Sequence, residues 1–147
     1  KSYFMIDGGI FANNPSISAI VEVKKRFPYL PIPETMVLSI GTGYNNHKYS
    51  YLDSVDWGLV EWISPVVHIM QSGMSSITSY QMDNMFRSYN ASENYLRVEP
   101  NLGKAEYDMD NASPSNIEAL QEAGYDTVKK YRDRLLKFFD KINGQLK

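Results

Sequence analysis

The chain has 147 residues, with 15 Lys and Arg against 17 Asp and Glu for a formal charge of −2, and 43% hydrophobic and 22% charged residues. That is the make-up of one modest globular domain, and without a basic field it argues against nucleic acid as a partner. No cysteine is present, which excludes disulfides and thiolate metal sites and suits a reducing cytoplasm and a disulfide-free secreted protein equally; no apolar stretch is long enough to cross a bilayer.

The apolar run Tyr3, Phe4, Met5 and Ile6 predicts a short strand buried on both faces. A chain that enters such a strand almost at once, with no initiator Met, is expected to be the C-terminal part of a longer or cleaved protein. Gly8 and Gly9 end the strand. Asn14 as cap and Pro15 at the first helical position predict a helix with Ile17, Ile20, Val21 and Val23 as its apolar stripe. Pro28, Pro31 and Pro33 then interrupt regular structure. Residues 36–40 read as a second buried strand with Gly41 and Gly43 as its turn. Strand, helix, strand in this order predicts a parallel crossover and an α/β fold.

Residues 44–56 read as a loop. Asp56 is placed to cap a short helix over residues 57–63. Ser64 and Pro65 are placed to open a longer one, with apolar positions at Val66, Ile69, Met70, Gly73, Met74, Ile77 and Tyr80. "NYLRVEP" (94–100) gives a third strand, near a sheet edge because it is short and stopped by Pro100. Ser113, Pro114 and Gly124 mark the cap, first position and end of another helix. A last amphipathic helix is expected over residues 126–142, with Val128, Tyr131, Leu135, Phe138 and Ile142 on one face.

"IDGGIFANNP", residues 6–15, is the stretch richest in chemistry. Asp7 stands at the carboxyl end of the first predicted strand, where α/β sheets gather ligands and catalysis. Two glycines behind it permit φ angles that side chains forbid and allow close approach of backbone or ligand. Asp7 is therefore either a base or metal ligand, or a residue that merely bonds the amides of its own turn.

"DGGIFANNP" resembles the DGA/DGG motif of the patatin-like phospholipases, and "VLSIGTG", "YLRV" and "MDNASPSNIEALQEAG" resemble later segments of that family in the family's order. The resemblance runs from Asp7 to about Gly124. It implies that residues 1–124 are the C-terminal part of a patatin-like domain, an α/β three-layer sandwich with a mostly parallel sheet. Residues 125–147 form a C-terminal amphipathic helical extension that it does not explain. It implies a lipid acyl hydrolase without cofactor, in which Asp7 is half of a Ser–Asp dyad and Gly8 and Gly9 form the motif's turn; no metal is expected, since no cluster of His, Asp and Glu has metal-ligand spacing. The base takes the proton of a nucleophilic Ser, which attacks a lipid or phospholipid ester and forms an acyl-enzyme. The G-x-S-x-G elbow that would carry this Ser is not found. "SGMSSI" comes nearest, but Ile77 replaces the final glycine after Gly73, Met74 and Ser75, and the segment falls in a predicted helix downstream of Asp7. "GTGYNN" lacks the third glycine of an oxyanion loop. Both motifs are expected upstream of Lys1, in the N-terminal half of the same domain, which becomes the expected partner. The alternative is a non-catalytic lipid- or protein-binding module that keeps the fold.

Other residues invite weaker readings. His47 lies among polar neighbours and His68 beside an apolar helix face, and neither has triad spacing. Met70, Met74, Met82 and Met85 with Ile77 and Phe86 could line an acyl channel or simply form core. The basic side chains of the last helix, Lys129, Lys130, Arg132, Arg134, Lys137 and Lys141, could touch an anionic membrane surface. Their interleaved Asp126, Asp133 and Asp140 favour an ordinary solvated face. Asn90-Ala91-Ser92 is a glycosylation triplet.

Overall fold

The computed structural model describes residues 5–44, 49–106, 108 and 110–145. In chain order these hold α1 (Gly9–Ala12), α2 (Ser16–Arg26), a 3-10 turn (Ile32–Glu34), β1 (Val37–Ile40), α3 (Tyr51–Ser54), α4 (Leu59–Ser88), a second 3-10 turn (Ser92–Asn94), β2 (Tyr95–Val98) and α5 (Pro114–Gln145). The chain is thus mixed helix and strand with a small parallel sheet. Its described residues fall into two compact units, one within Lys1–Ile32 and His47–Met85, the other within Pro33–Asn46 and Phe86–Lys147.

In the second unit β1 and β2 pair in parallel, from Val37 opposite Tyr95 to Ile40 opposite Val98. Both lie within the runs expected to be strands, β1 followed by Gly41 and β2 closely by Pro100. The ladder continues past the strands: Gly41 donates to the Val98 carbonyl at 2.8 Å, Tyr44 to that of Pro100 at 2.9 Å, and Leu102 to that of Tyr44 at 3.0 Å. Side chains alternate across a sheet, and Leu38, Leu96 and Val98 take the face that meets Phe138 of α5, with Tyr131, Leu135 and Ile142 packed around them. Burying a side chain of this kind stabilises by about 1.5–3 kcal/mol.

α5 opens as its sequence predicts, with Pro114 as first residue and the Ser113 carbonyl accepting from the Ile117 N–H at 3.0 Å. It then runs unbroken through Gly124, where a stop was expected. Glycine ends a helix by adopting left-handed backbone, and Gly124 does not. The buried stripe of Asn116, Ala123, Thr127 and Phe138 simply continues across it. Within that stripe Thr127 is 9% exposed and Val128, expected on the buried face, is 58% exposed. The Thr127 hydroxyl is satisfied by donating to the Ala123 carbonyl at 2.7 Å. α4 ends in this unit on Asn90, whose φ of 55° is left-handed. Asn90 donates to the Arg87 carbonyl at 3.0 Å and Ala91 to that of Phe86 at 2.9 Å, the bond pair of a Schellman cap. Phe86, fully buried, stacks on Tyr95 with ring centroids 5.9 Å apart.

In the first unit α4 starts at Leu59, so the two helices expected over residues 57–80 are one, and neither Asp56 nor Ser64 begins it. Pro65 lies inside it, without the N–H that would bond the Glu61 carbonyl, and is buried. The expected loop over residues 44–56 contains α3, capped by Ser50, whose Oγ accepts from the Asp53 N–H at 3.2 Å; residues 45–48 lie outside the described residues. The first predicted strand is not seen at Met5 and Ile6, which are exposed and irregular, while Tyr3 and Phe4 lie outside the described residues. A strand needs a neighbour for its N–H and C=O groups, and among the described residues β1 and β2 pair only with each other. In α2, Ile20 is buried but Val21, expected beside it, is exposed. No helix of the described residues is long and apolar enough to cross a membrane.

Candidate functional site

Asp7 heads a short coil. Its carbonyl accepts from the Ile10 N–H at 3.3 Å, and that of Gly8 accepts from Phe11 at 3.0 Å and Ala12 at 2.9 Å, which winds residues 7–13 into the single turn of α1. The Asp7 side chain joins this turn, its Oδ1 accepting from the Gly9 N–H at 2.6 Å. That is the turn-bonding role open to any Asp-Gly pair. It uses one oxygen: Asp7 is exposed, and its Oδ2 has no hydrogen-bond partner among the described residues. An acceptor held by one oxygen and open at the other is suited to taking a proton from a hydroxyl brought against it.

The two glycines do not serve as their sequence suggests. Gly8 has φ −63° and ψ −22°, ordinary helical values, and among the described glycines only Gly43 and Gly103 have positive φ. Dihedral freedom is not what calls for glycine at Gly8 or Gly9. A Cβ on Gly9 would stand 2.9 Å from Asp7 Oδ1, whereas one on Gly8 would meet nothing within 4 Å. The group that approaches Gly9 closely is Asp7's own carboxylate.

Asn14 and Pro15, expected as cap and first residue of α2, both lie ahead of it: the helix starts at Ser16 with Pro15 at its N-cap and no side-chain cap bond. Asn14 is 4% exposed, and its Nδ2 donates to Ser79 Oγ at 3.1 Å and to the Ser75 carbonyl at 3.4 Å, both on α4. Its Oδ1 accepts from the N–H and the hydroxyl of Ser16 at 3.2 and 2.6 Å. Nothing in the local spacing announces the reach to α4. Gly73, Met74 and Ser75 lie within that helix, so they form no strand-to-helix elbow.

A second polar cluster was missed in the sequence. In the second unit Arg97 donates to Ser39 Oγ at 2.8 Å and pairs with Glu99, whose Oε1 accepts from the Gly43 N–H at 3.2 Å. A Cβ on Gly41 would run into the Glu99 carboxylate, and Gly43 takes φ 119°. The G-T-G turn after β1 therefore seats a carboxylate from the end of β2. The available signal was Arg97 and Glu99 at alternate positions of an apolar strand, which puts both charges on the face of Ser39.

The remaining candidates divide. His68 is half-buried on α4, and His47 lies outside the described residues. Met82 and Phe86 are fully buried and thus core, while Met70 and Ile77 are exposed. Met85 lines an apolar hollow of about 450 Å3 with Ile17, Ile20 and Val21. On α5, Lys129 pairs with Asp126 at 3.6 Å and Lys141 with Glu93 at 3.2 Å, as a solvated face would. Among the described residues no three His, Asp or Glu gather as a metal site.

No family model matches the chain. It is 32% identical over 149 residues to patatin-like protein 3 of Arabidopsis thaliana, covering 89% of this chain and 35% of that protein. It is 26% identical over 155 residues to patatin-like protein 2 of Oryza sativa subsp. indica, covering 92% and 36%. It is 28% identical over 139 residues to the probable inactive patatin-3-Kuras 1 of Solanum tuberosum, covering 86% and 37%. The chain thus spans about a third of the length of the curated relatives it matches.

Proposed function

The chain belongs to the patatin-like family, and from that membership we propose that it is part of a lipid acyl hydrolase in which Asp7 is the base of a Ser–Asp dyad. The observation that carries this reading is the Asp7 carboxylate itself, pinned through Oδ1 by the Gly9 amide and open at Oδ2. Oδ2 takes the hydroxyl proton as the Ser oxygen attacks the ester carbonyl, and the same proton is available to the alcohol that leaves. Carboxylates are weak bases in water, so the rate must come largely from fixed position. The nucleophile and oxyanion donors belong, in this reading, to the N-terminal half of the same domain, ahead of residue 1 in the full-length protein. β1 and β2 would be two strands of a mostly parallel sheet in a three-layer sandwich. Residues 1–124 would belong to that domain and residues 125–147 to an extension, with α5 spanning the junction. The substrate is a lipid or phospholipid ester.

The test is Asp7→Asn in the full-length protein. An amide keeps an oxygen for the Gly9 N–H but cannot take the proton. Turnover should fall by about 10²–10⁴-fold, with the melting temperature nearly unchanged. An unchanged kcat in a folded variant removes Asp7 from the chemistry.

One observation favours a second reading, a non-catalytic lipid- or protein-binding module: a relative 28% identical to this chain is named as probably inactive. The residues ahead of Lys1 separate the two readings, since only the hydrolase requires a glycine-rich loop and a G-x-S-x-G elbow there.

A further inference from the structure

We propose that Asn14 is a positioning residue for Asp7, holding the far end of the coil that carries the carboxylate against α4; this rests on Asp7 being the catalytic base. Among the described residues the coil has little else to hold it: no residue of α1 is buried, and the hydrogen bonds shown within residues 7–13 are local ones that wind the turn. At its end stands Asn14, 4% exposed, with its hydrogen-bonding capacity filled: two N–H donors engaged by Ser79 and Ser75, and two acceptor sites by Ser16. Two of these four bonds go to α4, a 30-residue helix. An exposed coil with one buried, saturated anchor turns about that anchor. At roughly 1.5 Å rise per residue, Asp7 lies about 10 Å from the anchor, so a rotation of about 6° moves its carboxylate by about 1 Å. A displacement of about 1 Å can cost roughly 10²-fold in rate.

The prediction is a coupling that a purely structural asparagine would not produce. In the full-length protein, Asn14→Ala should lower kcat by about 10–100-fold while KM changes by less than about twofold. The same substitution in an Asp7→Asn background should change the residual rate by less than about twofold, because a base already removed cannot be misplaced. Ser79→Ala removes one of the two α4 partners without touching the coil, and should show the same pattern with a smaller loss. It also supplies the measurement should Asn14→Ala fail to fold. Equal fold-losses in both backgrounds, or a folded variant with full kcat, overturn the proposal. If Asp7→Asn alone retains full turnover, the base assignment has failed and the positioning role falls with it, an outcome read from that single variant before the cycle is completed.

Discussion

A Cβ at Gly9 would press on Asp7 Oδ1 while one at Gly8 would point into open space, so the motif's two glycines should respond differently to substitution. Gly8→Ala should leave turnover and melting temperature of the full-length protein unchanged. Gly9→Val, with two further methyl groups beyond the Cβ, should push the carboxylate aside and lower kcat by about tenfold or more in a protein that still folds. Parallel kinetics and thermal unfolding on the two variants check this, and equal behaviour would make the close approach at Gly9 incidental. The same steric reasoning applies at Gly41. There a methyl group meets the Glu99 carboxylate, which is paired with Arg97 at side-chain exposures of 24% and 16%. Displacing Glu99 leaves a half-buried guanidinium short of its partner, so Gly41→Ala should cost about 1–3 kcal/mol of stability, read from urea unfolding of the full-length protein. Asp7 could be picked out from its neighbours alone, since an Asp before two glycines forms its own turn. Asn14 could not, because its partners lie 61 and 65 residues away.

Helix ends in this chain follow backbone geometry more than residue type. Gly124 has the composition of a stop and continues α5, whereas Asn90 supplies the left-handed residue that closes α4. Only glycine, and with less ease Asn, takes that conformation cheaply. Asn90→Gly should therefore leave the melting temperature unchanged or slightly raised, and Asn90→Val should lower stability by about 1–2 kcal/mol. Thermal unfolding of both variants decides it; an unaffected Val variant would mean that the cap contributes nothing. Pro65 teaches the converse lesson. A missing N–H inside a long helix is tolerated when the proline is buried and the segments on both sides remain helical. Of the three strands expected, β1 and β2 form from short runs rich in strand-forming residues, while Met5 and Ile6 of the first are irregular.

At the scale of the whole molecule, α4 carries a row of exposed apolar side chains, Leu59, Val60, Ile63, Met70 and Ile77 among them, and the relatives are about three times as long as the chain. Expressed alone, residues 1–147 should bind a hydrophobic dye strongly and show no esterase activity. Robust hydrolysis of a chromogenic ester by this segment would overturn the two-part active site. What could be read along the chain was local: the runs that become β1 and β2, the Ser113–Pro114 start of α5, and the turn begun by Asp7. The α5 start and the Asp7 turn depend on dihedral limits and hydrogen bonds spanning four residues or fewer; the strand runs are legible from their residue types, while the ladder that pairs them is long-range. What required the folded chain was the fate of Pro65 and Gly124, the face on which α5 buries Thr127 rather than Val128, the grip of Asn14 on α4, and the seat that Gly43 offers Glu99 across 56 residues of sequence. For Asn14 and Glu99 the deciding hydrogen bonds go to distant partners, and for Pro65 and Thr127 burial decides; such neighbours exist only once the backbone has closed.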